Sequence, residues 1–255
     1  MTTPKIGPEC ILPAGVELSA DVSVGARTVF AGNDITVGYG VVIEPACVVA
    51  DSVNIGQGAL LRAGCVVLTS VPPNAIVEGN PARVVGYCKE GGRAAHGITK
   101  LVDVREFAHL TRPASLPLGV GNSALYLMRR IVDARGGLTV GEVPTEVPFS
   151  PERYFAVFDV PSVELRGEHA HKECQQFLIC LHGSCRVLLD DGEKRCEVTL
   201  DCPDMGVFMP EMIWGTQYRY SFDAVLLVFA SRPYEAHDYI RDYDTFLELS
   251  RAVKL

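Results

Sequence analysis

The chain is short of several things, and each shortage removes a class of function. It has no run of basic residues: 23 Lys and Arg face 31 Asp and Glu, for a net charge of −8. Nucleic-acid binding therefore has no electrostatic footprint. No apolar run reaches the roughly 18 residues of a membrane span, and Met1–Lys5 lacks the charged-then-apolar start of an export signal. The nine cysteines are an odd number and form no C-x-x-C pair, which predicts reduced thiols in a cytoplasmic protein. No G-x-G-x-x-G occurs, so the fingerprint of a dinucleotide cofactor is missing. No histidine precedes His96. What remains is an ordinary soluble composition, 48% hydrophobic and 21% charged over 255 residues, enough for one large or two small domains.

The first third is periodic. Apolar residues recur every six positions at Ile6, Leu12, Leu18, Val24 and Phe30. After one inserted residue they resume at Val37, Ile43, Val49, Ile55, Leu61 and Val67. Small residues often follow, as at Gly7, Gly25, Ala31, Gly38, Ala50 and Gly56. An ordinary strand alternates with period two. A period of six predicts a parallel β-helix over residues 1–86, with each apolar residue pointing inward and its small neighbour fitting a corner. Residues 87–121 read as a connector, broken by Gly91-Gly92 and carrying weak helical periodicity from Leu101 to Leu110. His96 and His109 fall here without partners and read as surface residues. Residues 122–255 form the second domain.

The repeat resembles the left-handed β-helix, hexapeptide-repeat acyltransferases, above all in Val71-Pro72-Pro73-Asn74-Ala75 through Gly79-Asn80-Pro81-Ala82-Arg83. That phrase is similar to the closing coil of sugar acetyltransferases, near which the family binds acetyl-CoA. The resemblance implies a trimer and makes Arg62 and Arg83 candidates for CoA contact. Two departures favour a scaffold over a working transferase. Eleven repeats make fewer than four coils, and there is no histidine base, whose help is worth about 10²–10⁴-fold.

The second domain is organised around Arg166-Gly167-Glu168-His169-Ala170-His171-Lys172. Downstream, the β-prone runs Phe177–His182 and Cys185–Leu189 read as a hairpin, and Asp190-Asp191-Gly192 as a tight turn. On a strand, His169 and His171 lie two apart and share a face. Two aligned imidazoles serve metal binding or proton transfer. The spacing resembles the cupins, with departures: Gln175 or Gln176 stands at the ligand Glu, Met212 at a motif Gly, and Gly215 at the last ligand His. Two ligands are missing and metal sites need three or more, so no metal is expected and general acid–base work is.

Further motifs resemble the WxcM-like sugar-nucleotide 3,4-ketoisomerases: Asp133-x-Arg135-Gly136, Arg153-Tyr154-Phe155, the His run and Asp238-Tyr239-Ile240-Arg241-Asp242-Tyr243. The resemblance covers about residues 122–250. It implies a cupin barrel, so that the two resemblances together predict an all-β fold, a short left-handed β-helix followed by a cupin barrel; the residues from Asp238 to Leu249 read as a C-terminal helix with Asp238 as its N-cap. The WxcM-like resemblance implies a dTDP-4-keto-6-deoxyhexose 3,4-ketoisomerase with His169 and His171 catalytic. Arg135, Arg153, Arg166, Lys172, Gln176 and Trp214 are its candidate substrate and nucleotide contacts, with Trp214 lining the barrel mouth opposite the His pair. Arginine suits a pyrophosphate because its planar fork binds bidentately.

The expected role is in making 3-amino-3,6-dideoxy sugars for surface polysaccharides. Alternatives are a bifunctional enzyme whose β-helix also N-acetylates the amino sugar with acetyl-CoA, and a non-catalytic nucleotide-sugar-binding scaffold. The isomerase needs no cofactor. Expected partners are a small-molecule nucleotide sugar and copies of the chain itself (cupin dimers, β-helix trimers, together a hexamer), with no nucleic acid and no membrane.

Overall fold

A computed structural model describes residues 3–88, 99–107, 109–161 and 164–253. His96 lies outside the described residues. The chain divides into two compact units, Met1–Thr99 and Lys100–Leu255.

The first unit is a solenoid of very short parallel strands stacked in three sheets. Partners in most coils lie 18 or 19 residues apart, as in Val37↔Ile55 and Val24↔Ile43, and 16 apart in the last, as in Leu60↔Ile76. The 19-residue steps span the inserted residue between Phe30 and Val37. From Val24 to Val67 every residue of the six-residue series is 3% exposed or less. In the first coil Ile6 is 48% and Leu12 38% exposed. At the other end the chain reverses. Ala75–Glu78 pairs antiparallel with Arg83–Tyr87 and closes the last sheet.

The second unit is a cupin-like barrel of two six-stranded sheets. One runs in the order Lys100–Val102, Arg195–Leu200, Cys185–Asp190, Trp214–Tyr218, Arg166–His171, Tyr239–Ile240. The other runs Ala114–Pro117, Ala124–Leu127, Met205–Met209, Gln176–His182, Val225–Ala230, Arg153–Phe158. Alternate residues of both sheets, among them Val187, Leu189, Val198, Val207 and Leu226, meet in the main core. Residues 100–117, expected within a connector, thus supply two barrel strands. Helical periodicity there yields only a 3₁₀ turn, Val104–Phe107.

The structure corrects two local expectations. Gln176–His182 and Cys185–Asp190 are not a hairpin: they belong to different sheets, and Gly183-Ser184 carries the chain between them. Gly183 takes φ +65° at that crossing, a left-handed conformation that glycine adopts without a Cβ penalty. The Asp190 turn does close a hairpin, Asp190 pairing with Arg195. Second, the C-terminal helix spans Tyr243–Val253. Its cap is Asp242, whose Oδ1 accepts from Thr245 N–H at 2.8 Å. Asp238 is free of that task and has another. The helix covers the outer face of the first sheet through Tyr243 and Phe246, which pack on Trp214, Ala170 and Ile240.

Candidate active site

Gly167 and Glu168 both have positive φ, +84° and +54°. They form a bulge in the pairing of Arg166–His171 with Trp214–Tyr218, and bulges re-aim the residues that follow. Beyond it, His169 pairs with Gly215 and His171 with Tyr239. Ala170 points outward to the helix core, so the two imidazoles point into the barrel. Their rings meet edge to face with centroids 5.0 Å apart.

Each ring has a defined tautomer. His169 Nδ1 lies 2.8 Å from the Gly167 carbonyl oxygen, which only accepts. Nδ1 therefore carries the proton, and Nε2 keeps a lone pair. That Nε2 has no hydrogen-bond partner among the described residues. His171 Nδ1 lies 2.7 Å from Asp238 Oδ2, and its Nε2 is 3.1 Å from the Gln176 amide nitrogen, the donor. His171 is thus held with Nδ1 protonated and both nitrogens engaged. Both rings are neutral at pH 7. Burial pushes His169 down from 6.5 to about 4, against the opposing bond to Gly167 and with help from the charges of His171 and Arg241. Burial also lowers His171, with Asp238 opposing and Arg153 and Arg241 adding to the fall. For Asp238 burial acts upward, but bonds from His171 and from Glu173 N–H hold its carboxyl below the ordinary value. The His171–Asp238 contact is accordingly a hydrogen bond from a neutral ring to a carboxylate.

Around the pair stand further residues, of which sequence reasoning quoted Tyr239 and Arg241 in a motif without giving them a task. Tyr239 lies against both rings, with centroids 4.9 Å from His169 and 4.3 Å from His171. Arg241 lies over Tyr239 at 4.4 Å. Arg153 stacks between Phe155 and Tyr234 at 5.4 and 5.6 Å, and its Nε is buried without a hydrogen-bond partner. Asp238 was the hardest to foresee, lying 67 residues from His171 in sequence. The signal that pointed there was the tail motif itself.

Other expected site residues are placed differently. Trp214 does not line a mouth opposite the His pair. It sits on the strand next to them, 6% exposed, packed edge to face on Tyr243 at 5.1 Å and tilted against Phe246 at 5.6 Å. The register that points Gly215 inward points Trp214 outward under the helix. A Cβ on Gly215 would lie 2.6 Å from Met209 Sδ, so this position faces the same interior as His169. Arg166 is exposed at the head of the His strand. Lys172 is exposed too, while its backbone N–H bonds the Asp238 carbonyl at 3.0 Å. Arg135 stands at the tip of an exposed hairpin, engaged by Asp133 at 2.6 Å. In the solenoid, Arg62 is paired with Glu44 at 3.1 Å. Arg83 is exposed where the chain reverses. His109 is exposed, and all nine cysteines are unbridged. No helix among the described residues is long and apolar enough to cross a membrane.

Comparison with known proteins places this barrel. The family described as FdtA: WxcM-like, C-terminal, matches residues 121–251. The TDP-4-oxo-6-deoxy-alpha-D-glucose-3,4-oxoisomerase of Aneurinibacillus thermoaerophilus is 42% identical over 127 residues, 50% of this chain and 91% of that protein. A 3,4-ketoisomerase from Helicobacter canadensis has a similar solved structure, with 36% identity, a TM-score of 0.50, and coverage of 51% of this chain and 98% of that one. So has a sugar 3,4-ketoisomerase from Thermoanaerobacterium thermosaccharolyticum, solved in complex with TDP, with 32% identity, a TM-score of 0.51, and coverage of 53% and 98%.

Proposed function

Because the chain belongs, through residues 121–251, to the WxcM-like, C-terminal family, we propose that it is a 3,4-ketoisomerase acting on a dTDP-linked 4-keto-6-deoxyhexose. The observation that carries this reading is a pair of neutral imidazoles, 5.0 Å apart, of which one presents an unpartnered Nε2 and the other is anchored by a carboxylate. A shift of a carbonyl from C4 to C3 needs those two parts. The C4 carbonyl makes the C3 proton acidic. His169 Nε2 removes it, giving an enediolate, and the resulting imidazolium returns a proton to C4. Meanwhile the O3 hydroxyl loses its proton and O4 gains one before the final carbonyl forms at C3. His171, linked to Asp238 and Gln176, sits where it can move that oxygen-borne proton. Proton transfer of this kind needs no redox cofactor and no metal, and is worth about 10²–10⁴-fold per group. Arg153 and Arg241, already flanking the pair, and Arg166 are the cations best placed for a diphosphate.

For the solenoid the reading we favour is a scaffold. Arg62 is occupied by Glu44, and the coils contain no histidine. Acetyl-CoA remains its one candidate ligand, with Arg83 the exposed one of the two candidate contacts. We also infer self-association. Ile131, Val132 and Leu138 are 52–62% exposed on the Arg135 hairpin, and Tyr154 and Phe158 are 71% and 60% exposed on the edge strand Arg153–Phe158. Apolar groups concentrated like this mark interfaces.

The test is conversion. The pure protein incubated with dTDP-4-keto-6-deoxyglucose should yield a sugar whose carbonyl carbon, by ¹³C NMR, is C3. His169→Asn should slow this by at least about 10²-fold. If His169→Asn turns over like the wild type, the assignment of the base fails.

A further inference from the structure

One potential ligand beside the His pair, Cys174, has no task in the reaction. Cys174, three residues beyond His171, is 2% exposed, and one ligand atom each of His171, Cys174 and Asp238 lie within 4.8 Å of one another. We propose that these three residues form an inhibitory site for a borderline-soft divalent cation, with Zn²⁺ the fitting ion.

The chemistry of the donors selects the ion. One nitrogen, one sulfur and one carboxylate oxygen is a zinc set, not the all-oxygen set of Mg²⁺ or Ca²⁺. Zinc bonds of about 2.0–2.3 Å in a tetrahedron hold ligand atoms about 3.3–3.8 Å apart. The His171–Asp238 contact, now 2.7 Å, needs to widen modestly. The frame is preset by the fold. Asp238 Oδ1 accepts Glu173 N–H at 2.8 Å, Lys172 N–H bonds the Asp238 carbonyl at 3.0 Å, and Ser231 Oγ approaches Cys174 Sγ at 4.0 Å. Such outer bonds orient ligands and tune affinity.

The proton count explains why occupancy would inhibit. The Cys174 S–H bond breaks and its proton goes to solvent. His171 Nδ1 gives up its proton, bonds the cation through its lone pair, and the ring takes a proton at Nε2. One proton is released overall. The cation then carries a thiolate, a carboxylate and a neutral imidazole, so the site is uncharged, with a fourth position for water. His171 is left as the opposite tautomer, its Nε2 a donor and Asp238 no longer its anchor. The inhibitory arm rests on the isomerase reading; the binding arm does not.

The experiment uses the full chain, stripped with EDTA and returned to chelator-free buffer, which should leave turnover intact. Co²⁺ is the optical probe and Zn²⁺ the inhibitor. One equivalent of Co²⁺ should give a thiolate-to-metal charge-transfer band with tetrahedral visible bands, displaced by Zn²⁺. Zn²⁺ should inhibit turnover, with recovery on adding EDTA. Cys174→Ser and Cys174→Ala should keep basal turnover, lose the band, and need at least about tenfold more Zn²⁺ for the same inhibition. Two variants guard against one failing to fold. No thiolate band at one equivalent overturns the site, and so does a band or inhibition unchanged in both variants, which would place the metal on other cysteines. A Cys174-dependent band with unaffected turnover overturns the inhibitory role.

Discussion

At the scale of single residues, the account rests on which nitrogen holds which proton. The Gly167 carbonyl fixes the His169 tautomer and the Asp238 carboxylate fixes that of His171. Replacing Asp238 by Asn keeps the shape but offers an amide donor to Nδ1, which favours the wrong tautomer. Turnover of Asp238→Asn should fall by about 10² or more, with nucleotide affinity, measured by calorimetry with dTDP, little changed. Unchanged turnover would demote Asp238 to a structural role. The depressed histidines also predict a pH dependence. Above 6.5 His169 is neutral both folded and unfolded. Between 6.5 and about 4 the unfolded chain binds the extra proton, so stability falls as pH falls through that window. The base itself stays neutral to the lower limit, so the acid limb of kcat/KM should lie well below 6.5. A limb at 6.5 in the initial-rate profile would mean that His169 is not buried as described, or not the base. The sequence made the H-x-H pair readable because a period of two is local. Asp238 and Gln176 as its partners were not, since both contacts depend on how the barrel closes.

At the scale of elements, the strand Trp214–Tyr218 divides its side chains between the barrel interior and the helix. Strand alternation turns one of each neighbouring pair to the cavity but does not say which. The bulge at Glu168 shifts the register by one residue, and a one-residue shift swaps faces. Trp214 consequently anchors the Tyr243–Val253 helix and the short Tyr239–Ile240 strand that carries Tyr239 to the His pair. Trp214→Ala should cost about 3–5 kcal/mol of stability. The loss should appear in denaturant melts, accompanied by loosening of the helix in hydrogen exchange. A Trp214→Ala protein of wild-type stability with lost dTDP binding would return Trp214 to the ligand contacts. The helix start was misread by five residues for a related reason. Asp238 and Asp242 are both acceptable caps on sequence, and the first is claimed by His171.

At the scale of the whole molecule, the two units differ in how legible they were. In the solenoid each coil touches only its neighbours, so the six-residue spacing and its single insertion carry straight through to the burial pattern. In the barrel, strands neighbouring in sequence fall into different sheets, as Gln176–His182 and Cys185–Asp190 do, and no local signal encodes that. All proposed reacting groups lie in the second unit. A chain beginning at Lys100, where that unit starts, should therefore fold and still isomerise the sugar. A folded but inactive truncation would show that the solenoid contributes to the site. The central claim is that a proton is carried from C3 to C4 by the protein's own histidines. It is tested most directly by ¹H NMR of dTDP-4-keto-6-deoxyglucose with the pure protein in D₂O. The account predicts a 3-keto product, carrying solvent deuterium at C4 to the extent that the His169 imidazolium exchanges before it returns its proton, formed by the wild type and not at a comparable rate by His169→Asn. A bound but unchanged sugar, with no deuterium at C3 or C4, would contradict it and leave a nucleotide-sugar binder in place of an isomerase.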